Sequence, residues 1–394
     1  MKKVSAESAS DLSESTDAYS ARTKLLAIIC GVAVVLSLLV TLFGGGKTNF
    51  EDAATLGAQT TSVFAKAGKH LIHCIDSRDA ADCIEGARVR SAEKSVLWLG
   101  NSQVHAVNQW RQGETNATPL LFESLGRRGL DVVAFSQPNA NLQEHYVLFE
   151  YLRRRLPLRA LILPVVFDDL REEGLRTEVA TLARDEPTAL NLSVTETGRR
   201  LVAIARTTAQ EQETAGIAHT MQERVEWALN GWLESHSPLW GARPTIRGEI
   251  FVGLYRLRNT LFGVKATSKR KMIPGQYRSN WTALEATLAE ARRSGIGVVL
   301  YVAPLRDDAV IPYDANEYSR FKADLKKLAE QYGAVYSNLE ALVPAKLWGA
   351  KDSTSLSEEA ELDFMHFQAG GHKLLAAKLE HLVLDVLAIR ENRR

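Results

Sequence analysis

Residues 95–103, SVLWLGNSQ, decide the fold of this chain. Ser95 to Leu99 make a short, mainly apolar run that Gly100 ends. A strand with one wet face alternates polar and apolar residues. An unbroken run is covered on both faces, as in a parallel sheet. Asn101, Ser102 and Gln103 then fall where such a strand turns into a helix. A serine on that turn exposes its hydroxyl at the carboxyl edge of the sheet. Its backbone N–H lies at a helix start, where negative charge is favoured. An acyl-transfer nucleophile needs that geometry, although an ordinary helix N-cap uses the same residue type.

The segments downstream repeat the strand–helix pattern. Thr118 to Arg128 reads as a helix, Asp131 to Ser136 as a second strand and Asn141 to Arg155 as a helix. Ala160 to Phe167 reads as a third strand, with Pro164 pointing to a sheet edge or a bulge. Asn280 to Ser294, Asn316 to Tyr332 and Ala369 to Ile389 read as helices. Gly297 to Val302 and Ala334 to Ser337 read as strands. This alternation predicts a three-layer α/β/α, flavodoxin-like domain around a parallel sheet. Residues 174–271 break the alternation with helical stretches at Leu201 to Thr214 and Ile217 to Ser235, and read as a helical insertion.

The 394 residues carry a formal net charge of +1, with 45% hydrophobic and 24% charged residues. That composition supports a sizeable core. The neutral balance offers no electrostatic footprint for nucleic acid, and no GxxxxGK[ST] loop points to nucleotide hydrolysis.

Leu25 to Phe43, LLAIICGVAVVLSLLVTLF, contains no charge and is just long enough to cross a bilayer. Arg22 and Lys24 on its amino side place that end in the cytoplasm by the positive-inside rule. A cleaved signal peptide competes with this reading, but the polar lead is long and no A-x-A site follows. The expected organisation is a disordered cytoplasmic tail over 1–23 and one transmembrane helix over 24–44. A connector over 45–90 follows, with a lead-in helix within Asp52 to Ile75, and then the α/β domain over 91–394. Everything past the anchor would be periplasmic or extracellular. In such an oxidising compartment Cys74 and Cys83 are candidates for a disulfide, while Cys30 lies in the apolar run. No zinc-type ligand spacing accompanies them, so no metal is expected, and serine acyl chemistry needs no organic cofactor.

Sites in open parallel sheets form at the carboxyl ends of strands. Asp363-Phe364-Met365-His366 precedes the last helix. Its histidine can take a serine proton while the aspartate holds the other ring nitrogen in one tautomer. The segment after strand two offers Gln137, Asn139 and Asn141 as oxyanion donors. Asp168 and Asp169 follow strand three, and Arg306 follows strand four. With Asn101 and Gln103 they are candidates for lining a substrate groove, against the plainer reading of turn chemistry. His105, one turn from Ser102, reads as a core or surface histidine, His372 as an ordinary helix residue and Trp98 as core.

A G-[DN]-S block after the first strand, two blocks after the next strands and D-x-x-H before the last helix resemble the SGNH (GDSL-like) hydrolase superfamily. The order matches from about Ser95 to Leu387, interrupted by the insertion. The resemblance implies Ser102 as nucleophile, His366 as base and Asp363 as its orienter. Two blocks depart from the family pattern: FSQPNAN lacks its usual glycine, and VVFDDLRE replaces G-x-N-D. Together with the anchor, these departures resemble the D-alanyl transfer protein of teichoic-acid operons and the periplasmic acetyltransferases of exopolysaccharide systems. That subset implies an esterase or O-acyltransferase acting on a cell-envelope polysaccharide beside a membrane-bound O-acyltransferase. A non-catalytic assembly or carbohydrate-binding partner, and a plain lipase or thioesterase, are the alternatives.

Overall fold

A computed structural model describes residues 59–75, 77–217, 256–257, 259–263, 267–353, 355–357 and 359–391. The expected tail and transmembrane helix, and the insertion between 218 and 255, lie outside the described residues.

The described chain opens with four short strands, β1 (Thr60–Ser62), β2 (Lys66–Ala67), β3 (His70–Leu71) and β4 (His73–Cys74), then helix α1 (Ser77–Val89). Strand β5 (Ser95–Gly100), helix α2 (Ser102–His105), β6 (Ala106–Asn108), α3 (Ala117–Gly126), β7 (Asp131–Ser136), α4 (Leu142–Leu152) and β8 (Leu158–Val165) follow. Three helices, α5 (Thr177–Arg184), α6 (Glu186–Leu192) and α7 (Glu196–Ile217), belong to the insertion. Helix α8 (Pro274–Arg293), β9 (Gly297–Val302), α9 (Ala315–Tyr332) and β10 (Val335–Asn338) resume the alternation. The hairpin strands β11 (Trp348–Lys351) and β12 (Glu361–Phe367) and helix α10 (Ala369–Glu391) close it.

Six strands form the central sheet in the order β10-β9-β8-β5-β7-β4, and every pairing is parallel. Alternate side chains of β5 enter opposite cores. Leu97 and Leu99 pack in one cluster with α4, α8 and α9; Val96 and Trp98 pack in the other with α3 and α10. Covering on both faces is why SVLWL shows no alternation. From β5 the chain moves to one side, to β7, and then crosses to the other, to β8. The carboxyl ends of β5 and β8 therefore form the topological switch point, where open α/β sheets bind ligands. The insertion helices are tied to the end of α4 by Arg154 bonding Asn191 and Arg155 bonding Asp185.

Three expectations need correction. The helical reading of Asp52 to Ile75 fails for its described residues, which form β1 to β4. Strand β4 joins the central sheet beside β7, so the α/β domain begins before residue 91. Its two-residue ladder and the pairing of β1 with β6 come from partners far along the chain, which local periodicity does not record. Pro164 marks neither an edge nor a bulge. It lies in β8, between β5 and β9, opposite Tyr301, but the β5 ladder stops at Ile162, so no pairing with β5 is lost. The space beside it is taken by Gly100. A Cβ there would lie 2.4 Å from Val104 Cγ2 and 3.2 Å from Pro164 Cγ.

Cys74 and Cys83 are joined in a disulfide that ties β4 to α1. Closing a loop of nine residues restrains the unfolded chain by about 2–3 kcal/mol in the chain-entropy model. Reduction, or Cys74→Ala with Cys83→Ala, is expected to lower the thermal midpoint by several degrees in melts with and without reductant. Equal midpoints would rule out a stabilising bridge.

Candidate active site

The nucleophile turn is short. Asn101 caps α2, its side chain accepting from Gln103 N at 3.0 Å. Its amide nitrogen donates to both oxygens of Asp169, at 3.0 and 2.9 Å. That contact spans the switch point from β5 to β8. Burial pushes the Asp169 carboxyl well above the usual carboxylate range, and the Asp168 and Glu172 charges add to it against the pull of Asn101. Gln103 reaches the other way and donates to Pro304 O at 2.9 Å and Met365 O at 2.8 Å. It thereby ties the turn to the segment that carries His366.

That segment is an irregular strand. Trp348 pairs with Phe367 and Ala350 with Leu362, so the hairpin register shifts across Asp363 to His366. Bulges of this kind re-aim side chains. Here the bulge folds Asp363 back onto its own backbone, and Oδ1 accepts from Met365 N at 2.9 Å and His366 N at 3.0 Å. Oδ2 lies 3.0 Å from His366 Nδ1 and accepts from Asn108 Nδ2 at 3.1 Å. Burial works against the Asp363 carboxylate, but the His366 ring and the two backbone N–H groups outweigh it and hold the carboxyl at about 2. His366 Nε2 lies 2.9 Å from Ser102 Oγ.

Hydroxyl, imidazole and carboxylate thus form one continuous chain, with Ser102 9%, His366 5% and Asp363 1% exposed. The carboxylate fixes Nδ1 as the protonated ring nitrogen, leaving the Nε2 lone pair toward the hydroxyl. Such a chain can strip a proton from Ser102 as the hydroxyl attacks an electrophile.

The other expected residues separate. Asn141 is a helix cap. Its side chain accepts from Gln143 N and Glu144 N in a capping box and donates one amide hydrogen to Gly174 O, so both of its polar atoms serve the start of α4. Asn139 sits at φ +51° on an exposed turn. With Asn141, Glu144 and Arg176 it lines a cleft of about 430 Å³. Gln137 is buried at the end of β7, and its Oε1 has no protein partner.

Asn101, Gln103 and Asp169 are buried and spent on the contacts above, so they hold the turn rather than line a groove. Arg306 is also buried, bonding Asp308 and Gly349 O. Asp168 alone of the groove candidates keeps an open edge, and it is engaged by Arg171, Arg270 and the Tyr313 hydroxyl, which donates at 3.0 Å.

Asn108 was not singled out from the sequence. It lies on β6, and its role depends on the hairpin it meets, donating also to Ala350 O. Gly349 makes room for it, since a Cβ there would lie 1.7 Å from Asn108 Oδ1. No group of acidic, histidine or cysteine side chains with metal-binding geometry occurs among the described residues.

No family model and no curated protein matches the chain. Among solved structures it is similar to a provisionally assigned acylhydrolase from Bacteroides fragilis, at 11% identity and a TM-score of 0.34. That match covers 74% of this chain and 88% of the other. It is also similar to a catalytic mutant of an acetylxylan esterase from Geobacillus stearothermophilus, at 8% identity and a TM-score of 0.34, over 73% and 93% of the two chains. Likenesses this faint bear no weight on the chemistry, which rests on the geometry of the site itself.

Proposed function

We propose that this chain is a serine-dependent acyl-transferring enzyme of the SGNH type, an esterase or O-acyltransferase working through an acyl-enzyme. The observation behind this reading is the unbroken contact chain from Ser102 Oγ through His366 to Asp363. Ser102 Oγ attacks the acyl carbonyl and His366 Nε2 takes its proton. The same nitrogen then protonates the departing hydroxyl, leaving an ester on Ser102. Water or an acceptor hydroxyl, deprotonated by His366, resolves it. The Ser102 N–H, at the first position of α2, has no partner within its helix and is the backbone donor for the oxyanion. Gln137 is a side-chain candidate through its amide NH₂.

The finer reading is an exported, membrane-anchored enzyme acting on acyl groups, chiefly acetyl, of a cell-envelope polysaccharide beside a membrane-bound O-acyltransferase. It is supported by the apolar segment Leu25 to Phe43, the disulfide and the departures from the family's third block. The second reading, a non-catalytic assembly partner, is favoured by Asp168. A carboxylate tied up by two arginines stands near the switch point, where a neutral donor would be useful.

A fluorophosphonate probe separates the two. The full-length chain is expected to be labelled on Ser102, with labelling lost in Ser102→Ala and reduced at least about 100-fold in His366→Ala. A folded chain left unlabelled would favour the scaffold.

A further inference from the structure

The nucleophile turn has a third hold, which the triad does not use. His105 ends α2, and its Nδ1 lies 2.7 Å from Ser136 Oγ at the end of β7. The same hydroxyl lies 2.6 Å from His73 Nε2 on β4. His73 Nδ1 in turn lies 3.0 Å from Thr118 Oγ1 on α3. All four side chains are at most 1% exposed, and Phe64 packs 5.2 and 5.1 Å from the two imidazole centres.

Ser136 has one proton for two imidazoles. It donates to one ring and accepts an N–H from the other, so the chain runs in a single direction and both tautomers are set together. Apolar packing could fill the same volume without that directional constraint.

Helix α2 has four residues, and the i to i+4 bond from Ala106 N to Ser102 O closes it. A single turn has little stiffness of its own. Its aim is therefore set by side-chain holds: Asn101 on Asp169 in front, Gln103 on Met365 O in the middle and His105 on Ser136 behind.

We infer that Thr118, His73, Ser136 and His105 form a positioning chain that aims Ser102 Oγ at His366 without touching the reacting atoms. The inference rests on Ser102 being the nucleophile, and an ångström of misplacement there can cost about 100-fold in rate.

Two readouts on the full-length chain test it: the rate of fluorophosphonate labelling, and ring-nitrogen NMR of His366, with Ser102→Ala marking the state that lacks the Ser102 contact. Ser136→Ala is expected to shift the His366 Nε2 signal toward the Ser102→Ala position and to slow labelling at least about 10-fold. With an ester substrate, kcat should fall while KM changes less than about twofold. Thr118→Val, nearly isosteric at the far end, should move both readouts less, in the same direction. It decides the matter if Ser136→Ala does not fold. Variants that lower the thermal midpoint but leave the His366 signal and the labelling rate at wild-type values would show ordinary core packing and overturn the inference. A wild-type chain that no probe labels would sink the acyl-enzyme reading instead, and the NMR comparison would still decide whether the chain aims Ser102.

Discussion

Asp363→Asn is expected to lower kcat for an ester substrate by about 10⁴-fold, with the fold intact by circular dichroism. The reason is donor counting. Asp363 accepts four contacts: Met365 N and His366 N at Oδ1, and His366 Nδ1 and Asn108 Nδ2 at Oδ2. An asparagine amide has one oxygen and one NH₂ group. If the oxygen keeps the backbone pair, the NH₂ faces Asn108 Nδ2 and His366 Nδ1. The ring then escapes the clash by moving its proton to Nε2, which removes the lone pair that must accept from Ser102. If the amide turns round, two backbone N–H groups face a donor and the bulge is lost. A residual kcat within tenfold of wild type would show that Asp363 does not orient the base.

Acid should unfold this protein at a higher pH than its carboxylates require. Apart from His366, four buried histidines among the described residues are held below the usual imidazole range. Burial, with the His372 charge adding, depresses His73 to about 3. Burial also depresses His145 to about 4, against its contact with Gly100 O, and His372 to about 4, against its bond to Ala106 O. His105 is lowered well below the usual range by burial, and His73, His366 and His372 reinforce it.

An unfolded histidine titrates near 6.5, so between that value and the depressed one the unfolded chain binds more protons. Stability therefore falls as the pH falls through this window. Each ring contributes on the order of a few kcal/mol across it, a sizeable part of a domain's whole stability of about 5–15 kcal/mol. Asp169 and Glu150 act in the opposite sense, because burial raises both carboxyls and they take up protons in the folded state, but they are two groups against four. Asp363 is lowered, so its contribution is intact above an ordinary carboxylate pKa and lost only as the pH falls toward about 2.

A midpoint between about pH 6 and pH 4 is expected by tryptophan fluorescence, moving to lower pH in His372→Gln. A chain that stays folded at pH 3.5 would show that burying these rings costs far less stability than this.

Much of this was legible in the sequence where the signal is local. SVLWLGNSQ announced a doubly covered strand and the turn after it because both cores press on β5. Asp363 and His366 could be named because one bulge holds both. Partnership over long range left no such trace. Asn108 reaches Asp363 across 255 residues, and nothing in AVN hints at it. Asn101 and Gln103 read as groove residues because polar side chains after a strand usually face solvent. Their amides are instead consumed by Asp169 and by the carbonyls of Pro304 and Met365. The segment from 59 to 75 carried a weak helical period, which the short ladders to β6 and β7 overrode.

Ser102 and His366 are 264 residues apart, and that separation has a consequence for biosynthesis. At ribosomal speeds of about 5–20 residues per second, the serine emerges roughly 13 to 50 seconds before the histidine that would activate it. Throughout that interval the growing polypeptide holds a hydroxyl no more reactive than any other serine's. On the proposed chemistry, reactivity would arrive only when Asp363 and His366 have been made and β12 has settled beside β11, so enzymatic competence would report that synthesis has passed the last hairpin and that the two ends of the fold have met.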